Sequence, residues 1–140
     1  MNADHSESET IQQILSESHN IAVVGLSDKP DRASYDVASY LQSHGYRIIP
    51  INPALKDVLG EKAYPNLSAV PETIDVVDIF RKSEDVGPIV DEAIKVGAPV
   101  VWMQLGIINE EAAAKARAAG LDVVMNHCMK REYKRLHSEE

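Results

Sequence analysis

Between Ile21 and Asp36 the sequence reads IAVVGLSDKPDRASYD, and the side chains in it suited to chemistry are Ser27, Lys29, Arg32 and Ser34. Two cations and two hydroxyls gathered in one short stretch suit an anion. The apolar run Ile21 to Val24 says how they would be held: short and β-branched, it reads as a strand buried on both faces that breaks at Gly25. A polar turn follows, and Ser34 or a neighbour can cap a helix running through Val37, Ala38 and Leu41. Backbone N–H groups at a helix start, with Lys29 and Arg32 beside them, offer donors and positive charge to a phosphate. Parallel α/β units also begin in this way with no ligand, so the local pattern alone leaves both readings open.

Elsewhere the reactive residue types are dispersed. The histidines, His5, His19, His44, His127 and His137, lack metal-ligand spacing, and the neighbours His127 and Cys128 would point to opposite faces of an extended segment. No Ser-His-Asp or Cys-His arrangement can be assigned, which weakens the case for an enzyme. Cys128 is the single cysteine, so an intrachain disulfide is excluded and a reducing cytoplasm is the expected setting. The start, MNADHSESETIQQ, has neither the basic region nor the apolar core of a signal peptide, and no apolar run approaches the roughly 18 residues of a membrane span. A net charge of −8 and a pI near 5.1 disfavour nucleic acid or an anionic membrane as partner. Any bound anion must be gripped by local basic residues.

The elements that must position these residues follow from periodicity. The chain, 140 residues long, reads as one domain in which residues 1 to 8 are loose. A short amphipathic helix carrying Ile11, Ile14 and Leu15 comes next, with Ser6 and Glu9 spaced as a capping box. After the strand at 21–24 and a helix over 34–44, a second strand, Tyr46 to Ile51, ends in Asn52-Pro53. Residues 54–70 look irregular apart from a turn of helix near 67–70. A third strand over 74–80 leads to Arg81, then a helix over 85–96 with Pro88 in its first turn. A fourth strand, 99–103, runs into Gln104-Leu105-Gly106; Asn109 caps a helix over 110–119; a fifth strand spans 121–125 and a polar helix 130–136.

This alternation predicts an α/β fold: a Rossmann-like, doubly wound, parallel five-stranded sheet with helices on both faces, in the order 3-2-1-4-5. Ligands of such sheets bind at the carboxyl ends of the strands near the topological switch, here expected between strands one and four. That would align Gly25 to Arg32, Asn52-Pro53, Phe80-Arg81 and Gln104 to Gly106 along one edge.

A dinucleotide cofactor fits this edge poorly. G-x-G-x-x-G is reduced to a single glycine in G25-L-S-D-K-P, and Asn52 stands where an acidic residue should bind the ribose. The stretches IAVVGLSDKPDRASYDVASYL, GYRIIPINP, GEKAYPNL, DVVDIFRKSEDV and VWMQLGIINEEAAAKARAAGLDVVMNHCMKREYKRL instead resemble the small single-domain CoA-binding proteins, related in fold to the CoA-binding domain of succinyl-CoA synthetase. The resemblance covers about residues 20–136, and the combination of G-L-S-x-K-P, P-I-N-P, D-I-F-R and W-M-Q-L-G-I is specific. It departs from the family at Asn126-His127, where an acidic or Asn residue is often followed by Arg.

The resemblance implies CoA or acyl-CoA as ligand, with no demonstrated reaction. CoA carries a pyrophosphate and a 3′-phosphate. Backbone N–H groups around Leu26 and Ser27 would hold the pyrophosphate, Lys29 and Arg32 would neutralise it or the 3′-phosphate, and Ser34 would act as cap or donor. Asn52 and Pro53 would meet ribose or adenine, with Lys56 a reserve phosphate contact. Phe80 would wall the adenine or end the core, and Arg81 would pair a phosphate or Glu84. Gln104 would face the pantetheine arm or the pyrophosphate, Gly106 would permit close backbone approach, and Trp102 belongs to the core. Cys128 could form a mixed disulfide with the CoA thiol, or be a small buried thiol under the last helix. The expectation is a cytosolic CoA-binding module, with a homodimer as a possible state and any protein partner unknown. Two alternatives remain, an NAD(P)-dependent or other nucleotide-dependent enzyme and an interaction protein with a vestigial pocket.

Overall fold

Alternation along the strands divides the core into two layers. Ile21, Val23, Ile48, Val76, Trp102 and Val124 join one buried cluster, while Ala22, Val24, Ile49, Val77, Ile79 and Met103 join the other. The computed structural model describes residues 3–137. In chain order the elements are α1 (Ala3–Glu17), β1 (Asn20–Val24), α2 (Ala33–Ser43), β2 (Arg47–Ile51), β3 (Asp57–Val58), β4 (Glu61–Lys62), β5 (Val76–Ile79), α3 (Val86–Val96), β6 (Val100–Met103), α4 (Glu110–Ala118), β7 (Asp122–Met125) and α5 (Met129–Leu136). Single 3-10 turns occupy Leu67–Ala69 and Ser83–Asp85.

Five strands form a parallel sheet, and β3 and β4 pair as a small antiparallel hairpin beside it. Helices α1, α2 and α5 cover the face of Trp102 through Ile14, Leu15, Val37, Leu41 and Met129. Helices α3 and α4 cover the opposite face through Val86, Val90, Ala93 and the small residues Ala112, Ala113 and Ala116. Trp102 is fully buried and donates its indole N–H to the His127 carbonyl at 2.9 Å, the core role expected of it.

The sheet order is β2-β1-β5-β6-β7, or 2-1-3-4-5 among the principal strands, which corrects the expected 3-2-1-4-5. The reason lies in Pro50. It sits inside β2 opposite Val23 and has no N–H to give a second neighbour, so β2 belongs at an edge. The third principal strand therefore pairs with β1 on its other side, Ile21 with Val76 through Val24 with Ile79. All four residues of β5 are buried, as a central strand requires. The topological switch lies between β1 and β5, so Phe80 and Arg81 stand directly beside the first turn.

Two further expectations change. Helix α1 already begins at Ala3, upstream of the Ser6–Glu9 capping box and within the stretch 1–8 expected to be loose. Residues 1 and 2 and the Ser6 side chain lie outside the described residues. The irregular stretch 54–70 contains the β3–β4 hairpin, tied to the open edge of β2: Tyr64 N–H donates to the Pro50 carbonyl and Asn52 N–H to the Tyr64 carbonyl, both at 2.9 Å. Arg47 clamps the same edge, with Nη1 at 3.0 Å from Glu61 and Nη2 at 2.6 Å from Glu72. No helix among the described residues is long and apolar enough to cross a membrane.

Candidate functional site

The β1–α2 turn is built from its own polar side chains. Gly25 has φ +86°, and a Cβ there would stand 2.5 Å from the Phe80 carbonyl oxygen, so only glycine lets β1 turn against the end of β5. Beyond it, Ser27 N–H donates to Ser34 Oγ and Lys29 N–H to Ser27 Oγ, each at 3.0 Å. Ser34 is nearly buried and lies inside α2; the N-cap is Arg32, which makes no side-chain cap bond. The cap expected of Ser34 is thus corrected, because its hydroxyl accepts from Ser27 across the turn. Ser27 N–H, expected to meet a phosphate, already has that partner. With no acceptor supplied by Arg32, the first turn of α2 presents N–H groups to whatever approaches.

Asn52 closes the turn from the neighbouring strand. Its Nδ2 donates to the Leu26 carbonyl at 3.0 Å and its Oδ1 accepts from Ala54 N–H at 2.9 Å, so the amide expected to read ribose or adenine is engaged at both ends. Leu26 is fully buried and contributes backbone alone. Pro53 and Lys56 are exposed beyond Asn52. Lys29, Arg32 and Lys56 are exposed cations with no carboxylate partner among the described residues. Arg81 lays its Cδ near Gly25 and is 3.8 Å from Asp85, not paired with Glu84.

A cavity of about 460 Å³ opens between the start of α2, the ends of β5 and β6, and α5. Phe80, Leu105 and Ile107 supply apolar wall, Gln104 a polar wall, and Lys130, Arg131 and Lys134 positive charge. Lys130 is offset by Asp36 at 2.9 Å, and Lys134 stands 5.5 Å over the Tyr40 ring. Cys128 also lines the cavity, which Gln104 and Phe80 line as well, and it is half-buried, not sealed beneath the last helix.

Gln104 is 3% exposed, and its Nε2 donates to Asp78 Oδ1 at 2.8 Å. Asp78 is fully buried in β5, opposite Val23 and Trp102, and its Oδ2 has no hydrogen-bond partner. Burial pushes this carboxyl well above the usual carboxylate range, to about 7, with the Gln104 bond pulling the other way. At the next turn Gly106 has φ +87° and donates its N–H to Asn126 Oδ1 at 2.7 Å, which joins the ends of β6 and β7. His127 pairs with Glu7 at 3.2 Å and Glu132 at 3.4 Å, so at the family departure Asn126 braces the edge while His127 docks helices.

Residues 19–134 match the family described as the CoA binding domain. The chain belongs to that family. This CoA-binding domain is 44% identical over 120 residues to the uncharacterized protein YneT of Bacillus subtilis (strain 168), covering 86% of this chain and 89% of that protein. A hypothetical protein from Pyrococcus horikoshii OT3 has the same fold at TM-score 0.92 and 44% identity, over 98% of this chain and 96% of that one. The ADP-forming 4-hydroxybutyrate–CoA ligase of Nitrosopumilus maritimus (strain SCM1) is 28% identical over 122 residues, which are 79% of this chain and 17% of the ligase. The matched residues of this chain thus correspond to a segment of a larger enzyme, in keeping with the likeness to succinyl-CoA synthetase.

Of the residues singled out in the sequence, the turn, Asn52 and Arg81 come together around Gly25, and Phe80 with Gln104 forms part of the cavity. Two features escaped notice. Asp78 had a signal, a carboxylate inside the apolar run VVDIF. So did α5, whose MKREYKR reads as a merely polar helix until its docking shows three cations facing the cavity.

Proposed function

We propose that this domain binds CoA or an acyl-CoA along the carboxyl edge of its sheet and acts as a binding module. The family match over residues 19–134 carries the reading. The geometry supports it in parts that suit the three chemical regions of CoA. Pyrophosphate would lie at the uncapped start of α2, where helix N–H groups, Lys29 and Arg32 supply donors and charge. The 3′-phosphate would be met by Lys56 or Arg81, and the adenine would rest against Pro53 with Asn52 holding the turn beneath it. The pantetheine arm would then cross Phe80 into the 460 Å³ cavity, where apolar wall and α5 cations surround it.

No residue is assigned a catalytic role. A ligase of which this chain spans 17% has other parts available for chemistry, and the module supplies the CoA site alone. Titration by calorimetry tests the reading: the protein should bind CoA more tightly than dephospho-CoA, and both more tightly than NAD or ATP. Arg32→Ala should weaken CoA by about tenfold or more, with a smaller loss for Lys29→Ala, because Arg grips two phosphate oxygens at once. Unchanged affinity in Arg32→Ala would leave the turn without a role in binding.

A further inference from the structure

Gln104 has two faces with different chemistry, and a buried carboxyl decides which one the cavity meets. A primary amide donates from nitrogen and accepts at oxygen, and the two atoms lie on opposite sides of the carbamoyl carbon. Here Nε2 is turned to Asp78 Oδ1 at 2.8 Å. Asp78 sits in the middle of the sheet with no other donor at hand, its second oxygen unpartnered. An ionised carboxylate only accepts, so in that form the amide must keep its nitrogen turned inward as observed, whereas a neutral acid has an O–H that could donate to the amide oxygen instead. With the carboxylate ionised, the reverse orientation would set the Gln104 oxygen against a buried carboxylate oxygen, a like pairing that burial makes costly. Gln104 lines the cavity, and with its nitrogen turned inward the atom left to the cavity side is Oε1, an acceptor.

An acceptor there discriminates among the parts of CoA. Phosphates at neutral pH only accept hydrogen bonds and would be repelled. The pantetheine arm carries two amide N–H groups and a hydroxyl. Resting on the proposed CoA reading, we propose that Asp78 is a positioning residue that fixes the Gln104 amide with its oxygen toward the cavity, so that Gln104 accepts a hydrogen bond from the amide-bearing arm and distinguishes CoA from ligands made of its nucleotide end alone. The pair makes the arm a recognised part of the ligand, with the phosphates held elsewhere on the edge.

Calorimetric titrations at about pH 8.5, where Asp78 is ionised, with CoA and with adenosine 3′,5′-bisphosphate test this, because the second ligand has the nucleotide end and no arm. Wild-type protein should bind CoA more tightly than the bisphosphate. Gln104→Met removes the acceptor at similar size, and Asp78→Val removes the carboxyl that orients it while suiting a buried strand. Each should weaken CoA about tenfold and leave the bisphosphate within about twofold. Should Asp78→Val fail to fold, the Gln104 side-chain NH₂ signals of wild-type protein, assigned by their loss in Gln104→Met, report the same contact. They should exchange slowly with solvent in the free protein and in the CoA complex, and fast exchange would overturn the orientation. Equal losses for both ligands, or a selective loss in Gln104→Met with none in a folded Asp78→Val, would also overturn the inference. Wild-type protein that binds both ligands equally overturns it while leaving the CoA reading intact, and protein that binds neither overturns both.

Discussion

At Gly25 a single methyl group decides whether the site can form. A Cβ would lie 2.5 Å from the Phe80 carbonyl, a backbone atom of the central strand, at a φ of +86° that side chains avoid. Gly25→Ala should therefore destabilise the domain by at least about 2 kcal/mol in urea unfolding, and a loss under about 0.5 kcal/mol would contradict the close approach. Asp78 gives a prediction of a different kind. The unfolded chain ionises this carboxyl near about 4, and the folded one holds its proton to about 7. Between those values the native state binds more protons than the unfolded state, so stability falls as pH rises through the window. Asp78→Asn does not ionise and escapes that loss. Its stability relative to wild type should rise from pH 4 to 7 and level off above, by on the order of 2–4 kcal/mol, whereas a gap constant across that range would mean the carboxyl is not burdened by burial. Asp78 was legible only as an oddity in the sequence, because a lone Asp in a strand gives no sign of which neighbour will hold it. Its partner Gln104 lies 26 residues away and meets it only once β5 and β6 are paired.

At the scale of elements, strand order is where reading the sequence fell short. Each strand of the parallel sheet and each principal helix was legible from periodicity and from stops such as Gly97, which ends α3 at φ +80°, whereas the two-residue strands β3 and β4 were too short to show a period. Order depends on pairing between distant segments, and the residue that announces it, Pro50, lies in an apolar strand whose pattern alone does not say which neighbour its missing N–H denies. The consequence reaches function, since the corrected order puts Phe80 and Arg81 beside the β1–α2 turn. Helix α5 is the other case: its Lys130, Arg131 and Lys134 could be seen as a basic run, but the face they present depends on how Met129 seats the helix against Val37 and Leu41. If these cations serve the cavity, Arg131→Ala with Lys134→Ala should weaken CoA about tenfold and flatten the salt dependence of binding. Equal salt slopes for variant and wild type would assign them to helix docking alone. Asn126 should matter to the edge itself: Asn126→Ala frees the Gly106 N–H and should cost about 1–2 kcal/mol of stability.

For the molecule as a whole, a net charge of −8 coexists with an edge that gathers cations with no carboxylate partner among the described residues. Lys29, Arg32 and Lys56 sit at the ends of β1 and β2, and Arg131 with Lys134 at the far side of the switch, so an anion approaching elsewhere would be turned away. The chain is 28% identical over 122 residues to a segment of a much longer CoA ligase, and on the proposed function its edge takes a ligand with phosphates at one end and an amide arm at the other. Recognition of both ends at once is the central claim. A thermal-shift titration with CoA, dephospho-CoA, NAD and ATP tests it most directly, since a ligand at 100 times its dissociation constant stabilises the native state by roughly 2.7 kcal/mol. The account predicts a clear rise in melting temperature with CoA, a smaller one with dephospho-CoA at equal concentration and none of comparable size with NAD or ATP. A shift with NAD alone, or with none of the four, would contradict it.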